Sequence, residues 1–121
     1  MPPCSPPEIV IQDGVTVISL GAEYESLEEA QLDQLRELLL ATVQQADPPW
    51  VVLDLSHTRF FGSSFIEVMF RLANRIEARQ GRFAISGLTP YCAEVLRVTH
   101  LDRLWRTYPN RDAAIAALAK A

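Results

Sequence analysis

Six consecutive residues, Trp50-Val51-Val52-Leu53-Asp54-Leu55, constrain the possible folds more than any other stretch of this chain. The run is too short for a core helix, and its apolar side chains fall on both alternating faces. A strand of that kind needs a sheet covered on both sides, which is the environment of a central parallel strand. The residues around it agree. Leu27, Ala30, Leu35, Leu38, Leu39 and Val43 before it, and Phe65, Ile66, Val68, Met69, Leu72, Ala73 and Ile76 after it, recur at helical spacing.

Punctuation residues divide the rest. Asp13-Gly14 separates Ile9-Val10-Ile11 from Val15, Val17, Ile18 and Leu20, the signature of a tight antiparallel hairpin. Ser26 and Glu29 have capping-box spacing and predict a helix starting at Ser26, which Pro48 and Pro49 stop. Arg82 to Ser86, bracketed by Gly81 and Gly87, predicts a strand beside the Trp50 strand after a right-handed crossover. Thr89-Pro90 predicts the N-cap and first position of a third helix ending near Thr99. Leu104 to Tyr108 predicts a last strand, and Asn110 caps an alanine-rich helix from Arg111 towards Lys120. The expected order is β-β-α-β-α-β-α-β-α, an α/β fold with a mainly parallel mixed sheet, an N-terminal antiparallel hairpin and about four helices. A chain of 121 residues fits one such domain, over residues 8–121, preceded by a Pro-rich tail at 1–7.

Composition excludes several function classes. A net charge of −4 without a dense Lys/Arg block gives no attraction to nucleic acid or anionic lipid. No apolar run approaches the about 20 residues needed to cross a bilayer, and no signal peptide is evident, so the expected location is cytoplasmic. Cys4 and Cys92 are too few for a disulfide scaffold or a structural zinc site and are read as reduced thiols. His57 and His100 have no ligand-spaced neighbour apart from Asp54, so neither a metal nor another cofactor is expected. Ser63 is outside a Gly-x-Ser-x-Gly elbow, and only those two histidines are available as a base, so the chain is not expected to be an enzyme. Asp54 is read either as a hydrogen-bonding group at the strand end or as part of a phosphate site.

The candidate site is the junction Phe60-Phe61-Gly62-Ser63-Ser64-Phe65-Ile66-Glu67 between the buried strand and the second long helix. Loops at that sheet edge commonly carry function. Ser64 and Glu67 have capping-box spacing, which commits the Ser64 hydroxyl to the helix and leaves Ser63 one step outside with its hydroxyl available. A phosphate on Ser63 would add about −1.5 to −2 charges near the positive end of the helix, tolerable to the domain but not to a partner packed on a neutral serine. The alternative is that both serines simply compete to cap the helix. Arg59 either attracts an acidic partner or stays solvated. Phe60, Phe61 and Phe65 are expected mainly in the core, with at least one exposed, and Tyr91 either packs or forms a rim contact.

Val51-Val52-Leu53-Asp54-Leu55, the Gly62-Ser63-Ser64 loop, Gly81-Arg82-Phe83-Ala84-Ile85, Leu88-Thr89-Pro90 and Val95 through Leu104 resemble, in register, the STAS domain family of bacterial anti-sigma factor antagonists. The resemblance spans about residues 8 to 120. It implies a partner-switching protein that binds an anti-sigma factor acting as a serine kinase, with phosphorylation at the position of Ser63 and reversal by a phosphatase. Gly62, Ser63, Ser64, Phe65, Glu67 and Arg59 would then form the partner-binding surface. The family loop typically reads Asp-Ser-Ser-Gly, so Gly62 stands for an acidic residue and Phe65 for a glycine. Those two departures keep open a second role within the family: a constitutive adaptor, such as the accessory subunit of a lipid-transport ATPase, used without phosphorylation. Nothing in the pattern specifies an oligomeric state.

Overall fold

The computed structural model describes the backbone of residues 7–21, 26–27 and 29–120 and the side chains of 7–21 and 32–120. The elements are β1 (Glu8–Gln12), β2 (Val15–Ser19), β3 (Ser26–Leu27), α1 (Glu29–Gln45), β4 (Trp50–Asp54), β5 (Phe60–Phe61), α2 (Ser63–Ala78), β6 (Arg82–Ser86), α3 (Pro90–Val98), β7 (Arg106–Tyr108) and α4 (Arg111–Lys120). A 3-10 turn at Leu101–Arg103 links α3 to β7. Apart from the two-residue strands β3 and β5, this is the order read from the sequence.

The main sheet runs β1-β2-β4-β6-β7, antiparallel between β1 and β2 and parallel elsewhere. The hairpin turns on Asp13 and Gly14, whose φ angles of 53° and 81° are the paired left-handed values of a two-residue turn. Strand alternation explains why β4 is apolar throughout. Val51 and Leu53 join Ile18, Leu20 and Ile85 under α1, α2 and α3, while Val52 joins Val15, Val17 and Ala84 under Ala114, Ile115 and Leu118 of α4. Three helices therefore cover one face and one helix covers the other. Gly81 permits the tight entry to β6, since a Cβ there would lie 2.1 Å from the Pro49 carbonyl oxygen. Arg79 donates to the Val43 and Gln44 carbonyls at 2.9 and 3.0 Å, satisfying the end of α1 and fixing it against α2.

Two expectations are corrected. The first helix begins at Glu29 rather than Ser26, because Ser26 and Leu27 pair in parallel with Phe60 and Phe61. Long-range strand pairing outcompetes a local capping pattern there, and the side chains of that proposed capping box fall outside the described residues, as does the segment 1–6 with Cys4. Secondly, the expected order has no strand between the buried Trp50 strand and the second long helix, yet β5 lies there.

Candidate functional site at the start of the second long helix

β4 ends at Asp54, and the chain needs only a short excursion to reach α2. That excursion is tied down at Thr58, which is fully buried. Its backbone N–H donates to the Leu55 carbonyl at 3.0 Å, and its carbonyl accepts from the Thr89 hydroxyl at 2.9 Å and from the Cys92 thiol at 3.5 Å. The Thr89 side chain makes no cap hydrogen bond to α3, although Thr89 is the N-cap residue with Pro90 following. Its hydroxyl instead anchors the loop at Thr58 to α3. Cys92 is a free, buried thiol, and burial pushes its pKa up, partly opposed by a hydrogen bond with Thr89.

The start of α2 departs from the capping-box reading. Gly62 is the N-cap, extended at φ −110° and ψ −168°, and no side chain caps the helix. The Gly62 carbonyl accepts the first helical hydrogen bond from the Ile66 N–H at 3.2 Å. Ser63 and Ser64 thus occupy the first turn itself. Glu67 is exposed and pairs with Arg71 at 3.2 Å, one turn further along, instead of reaching back to the helix start. An i,i+4 ion pair on the open face competes successfully for the carboxylate that sequence spacing assigned to capping.

Ser63 is exposed, Ser64 half-buried, and Arg59 exposed. Ser64 and Glu67 line a shallow hollow with Leu32, Asp33, Arg36 and Arg71, between α1 and α2. Phe65 is fully buried and packs against Phe61, with ring centroids 5.4 Å apart. The residue that replaces a glycine in the family loop therefore points into the core. Phe60 goes the other way: it is 48% exposed and stacks on Tyr91, itself 52% exposed, at 5.6 Å. This aromatic pair was legible only as two separate weak candidates. The loop and the start of α2 thus expose Arg59, Phe60 and Ser63 within five consecutive positions.

Asp54 belongs to a second feature that sequence reasoning missed. Its carboxylate accepts from Ser19 at 3.2 Å, Ser86 at 3.4 Å, the Ser56 N–H at 3.2 Å and Arg111 at 3.1 Å, and Arg111 also bonds Ser19. Three strand ends and the first turn of α4 are joined through one buried carboxylate. With both oxygens engaged, Asp54 takes the hydrogen-bonding role of the two read from the sequence. Gly87, at φ +71°, closes over this group, and a Cβ there would lie 3.0 Å from Asp54 Oδ1. Among the described residues no group of three or more His, Cys, Asp or Glu is arranged to hold a metal ion, and no helix is long and apolar enough to cross a membrane.

A mixed sheet with three helices on one face, and an exposed serine where a buried strand passes into the second long helix, defines a small α/β domain. The chain belongs to the STAS domain family, whose model matches residues 6–114. Among solved structures it is similar to an anti-sigma-factor antagonist (STAS) domain protein from Planctomyces limnophilus, at 40% identity and a TM-score of 0.89, over 95% of this chain and 99% of that one. It is similar to an anti-sigma factor antagonist from Mycobacterium paratuberculosis at 26% identity and a TM-score of 0.79, over 93% and 92% of the two chains. A Moorella thermoacetica RsbS variant shares the fold at 22% identity and a TM-score of 0.78, over 96% and 97%.

Proposed function

We propose that this protein is an anti-sigma factor antagonist-like partner switch: unmodified, it binds an anti-sigma factor with serine kinase activity, and phosphorylation of Ser63 releases it. It acts by binding, without catalysis, in the cytoplasm. A phosphatase returns it to the binding state. The observation that carries this reading is the exposed Ser63 in the first turn of α2, three residues after the exposed Phe60 that stacks on Tyr91.

Each part has a physical role. Phe60 and Tyr91 supply apolar area for a partner to cover. Arg59, Ser64 and Glu67 contribute a polar rim, and Gly62 leaves room for close approach. Buried Phe65 sets the loop's position from below. A phosphate on Ser63 would meet the unpaired N–H groups of the helix start, so the domain stays folded while the contact surface gains charge and bulk. A partner fitted to the neutral surface loses affinity by both effects.

The constitutive-adaptor reading is favoured by the two departures from the family loop, Gly62 in place of an acidic residue and Phe65 in place of a glycine. Pull-down from native lysate with wild type, Ser63→Ala and Ser63→Asp separates the two. The switch requires Ser63→Asp alone to lose the anti-sigma factor. Equal recovery of the same partner by all three proteins supports the adaptor and refutes the switch.

A further inference from the structure

The two edges of the main sheet are unlike. β7 is three residues long, carries Arg106 and is followed by Pro109, features that blunt an edge against further pairing. β1 has five residues, and its central three, Ile9-Val10-Ile11, are uncharged. Ile9 is 43% exposed and Ile11 74% exposed. Both lie opposite residues of β2 that face α1 and α2, namely Ile18 and Thr16, so they form an apolar overhang on that face of the sheet.

The hairpin fixes which backbone groups of β1 are open. In a two-residue turn of this kind the flanking pair, Gln12 and Val15, exchanges both hydrogen bonds. Alternation then turns the N–H and C=O groups of Glu8, Val10 and Gln12 towards β2 and those of Ile9 and Ile11 outwards. An incoming strand therefore finds two donors and two acceptors beside two exposed isoleucines.

We infer that β1 is a self-association edge, pairing antiparallel with β1 of a second copy of this chain about a two-fold axis at Val10. In that register Ile9 faces Ile11 of the second copy and the reverse, so the outward groups form four main-chain hydrogen bonds. The four isoleucines form one apolar cluster on one face. On the other face Glu8 meets Gln12, an amide donor for its carboxylate, and no like charges are opposed. Neighbouring registers are worse. Setting Ile9 against Ile9 places Pro7, which has no N–H, opposite Ile11. Setting Ile11 against Ile11 places Ile9 opposite Asp13 of the turn. The sequence of β1 thus matches itself in one register, which commits the edge to a second copy rather than to an unrelated strand.

Sedimentation velocity of the full chain over a dilution series tests this. Wild type is expected to shift from monomer to dimer as concentration rises. Ile11→Lys, which places a charge in the cluster, and Ile9→Pro, which removes an outward donor while sparing the bonds to β2, are expected to stay monomeric with unchanged circular dichroism. Cross-linking offers a readout independent of those variants. In a Cys4→Ser background, Val10→Cys faces itself across the axis and should oxidise to a disulfide-linked dimer, whereas Gln12→Cys should not. A wild type that is monomeric throughout, edge variants that dimerise like wild type, or Val10→Cys and Gln12→Cys cross-linking at equal rates would each overturn the inference.

Discussion

Replacing Gly62 by aspartate should stabilise the protein. Gly62 is the N-cap of a 16-residue helix that has neither a side-chain cap nor an acidic residue in its first turn. Its φ of −110° is ordinary for any L-residue, and a Cβ built there meets nothing within 4 Å. Aspartate exceeds glycine at an N-cap by a few tenths of a kcal/mol through its hydrogen bond to the helix N–H groups. Its charge adds about 0.3–1 kcal/mol against the helix dipole at an exposed site. Removing a glycine from the unfolded chain adds about 0.4–1 kcal/mol where the native backbone suits the new residue. These contributions overlap, so a net gain of about 1 kcal/mol is expected, equivalent to about 3–5 °C in Tm for a domain of this size. Urea unfolding of Gly62→Asp, Gly62→Asn and Gly62→Ala separates the causes. Asparagine should retain the cap without the charge, alanine only the entropic part, and about 1 M salt should bring aspartate down to asparagine. A destabilised Gly62→Asp, or a Gly62→Ala equal to it, would refute the account of an open, uncapped helix start.

Three further outcomes follow from the packing. Phe65→Ala should cost about 3–5 kcal/mol in urea unfolding, because the ring is fully buried against Phe61, even though a glycine stands there in the family loop. Asp54→Ala should cost about 2–3 kcal/mol, and adding Arg111→Ala to it should cost less than about 0.5 kcal/mol more, since Arg111 is then free to be solvated; equal, additive losses in a double-mutant cycle would contradict the network. Because burial raises the Cys92 pKa, the folded protein holds that proton to higher pH than the unfolded chain does. Stability attributable to Cys92 is therefore lost as pH rises past the ordinary thiol value of 9.0, and labelling by a thiol reagent in a Cys4→Ser background should track unfolding rather than thiolate formation.

The elements that could be read from sequence were those whose period and punctuation agree. Trp50 to Asp54 is apolar on both faces because helices cover both faces, and Asp13-Gly14 forms the expected turn. What escaped were features made by partners distant in sequence. β3 and β5 are two residues each and exist through pairing with one another. Thr89 was expected to cap its own helix, yet its hydroxyl serves the Thr58 carbonyl, 31 residues away. Glu67 was expected to reach back to Ser64, yet Arg71 holds it. Asp54 gathers side-chain partners 32 to 57 residues distant, none of which leaves a local signal. At the candidate site the junction itself was legible because a buried strand followed by Gly-Ser-Ser and an amphipathic helix leaves few places for a hydroxyl to go. The Phe60–Tyr91 stack was not, because nothing local distinguishes an aromatic turned outward from one turned inward.

The most direct test is an intact and fragmented mass measurement on the protein isolated from its native cells, with and without phosphatase treatment. The switch predicts a phosphatase-sensitive fraction carrying one phosphate, localised to Ser63 and absent from Ser63→Ala. A protein that carries no phosphate under every growth condition in which its partner is present, or carries it on Ser64 instead, would contradict the account.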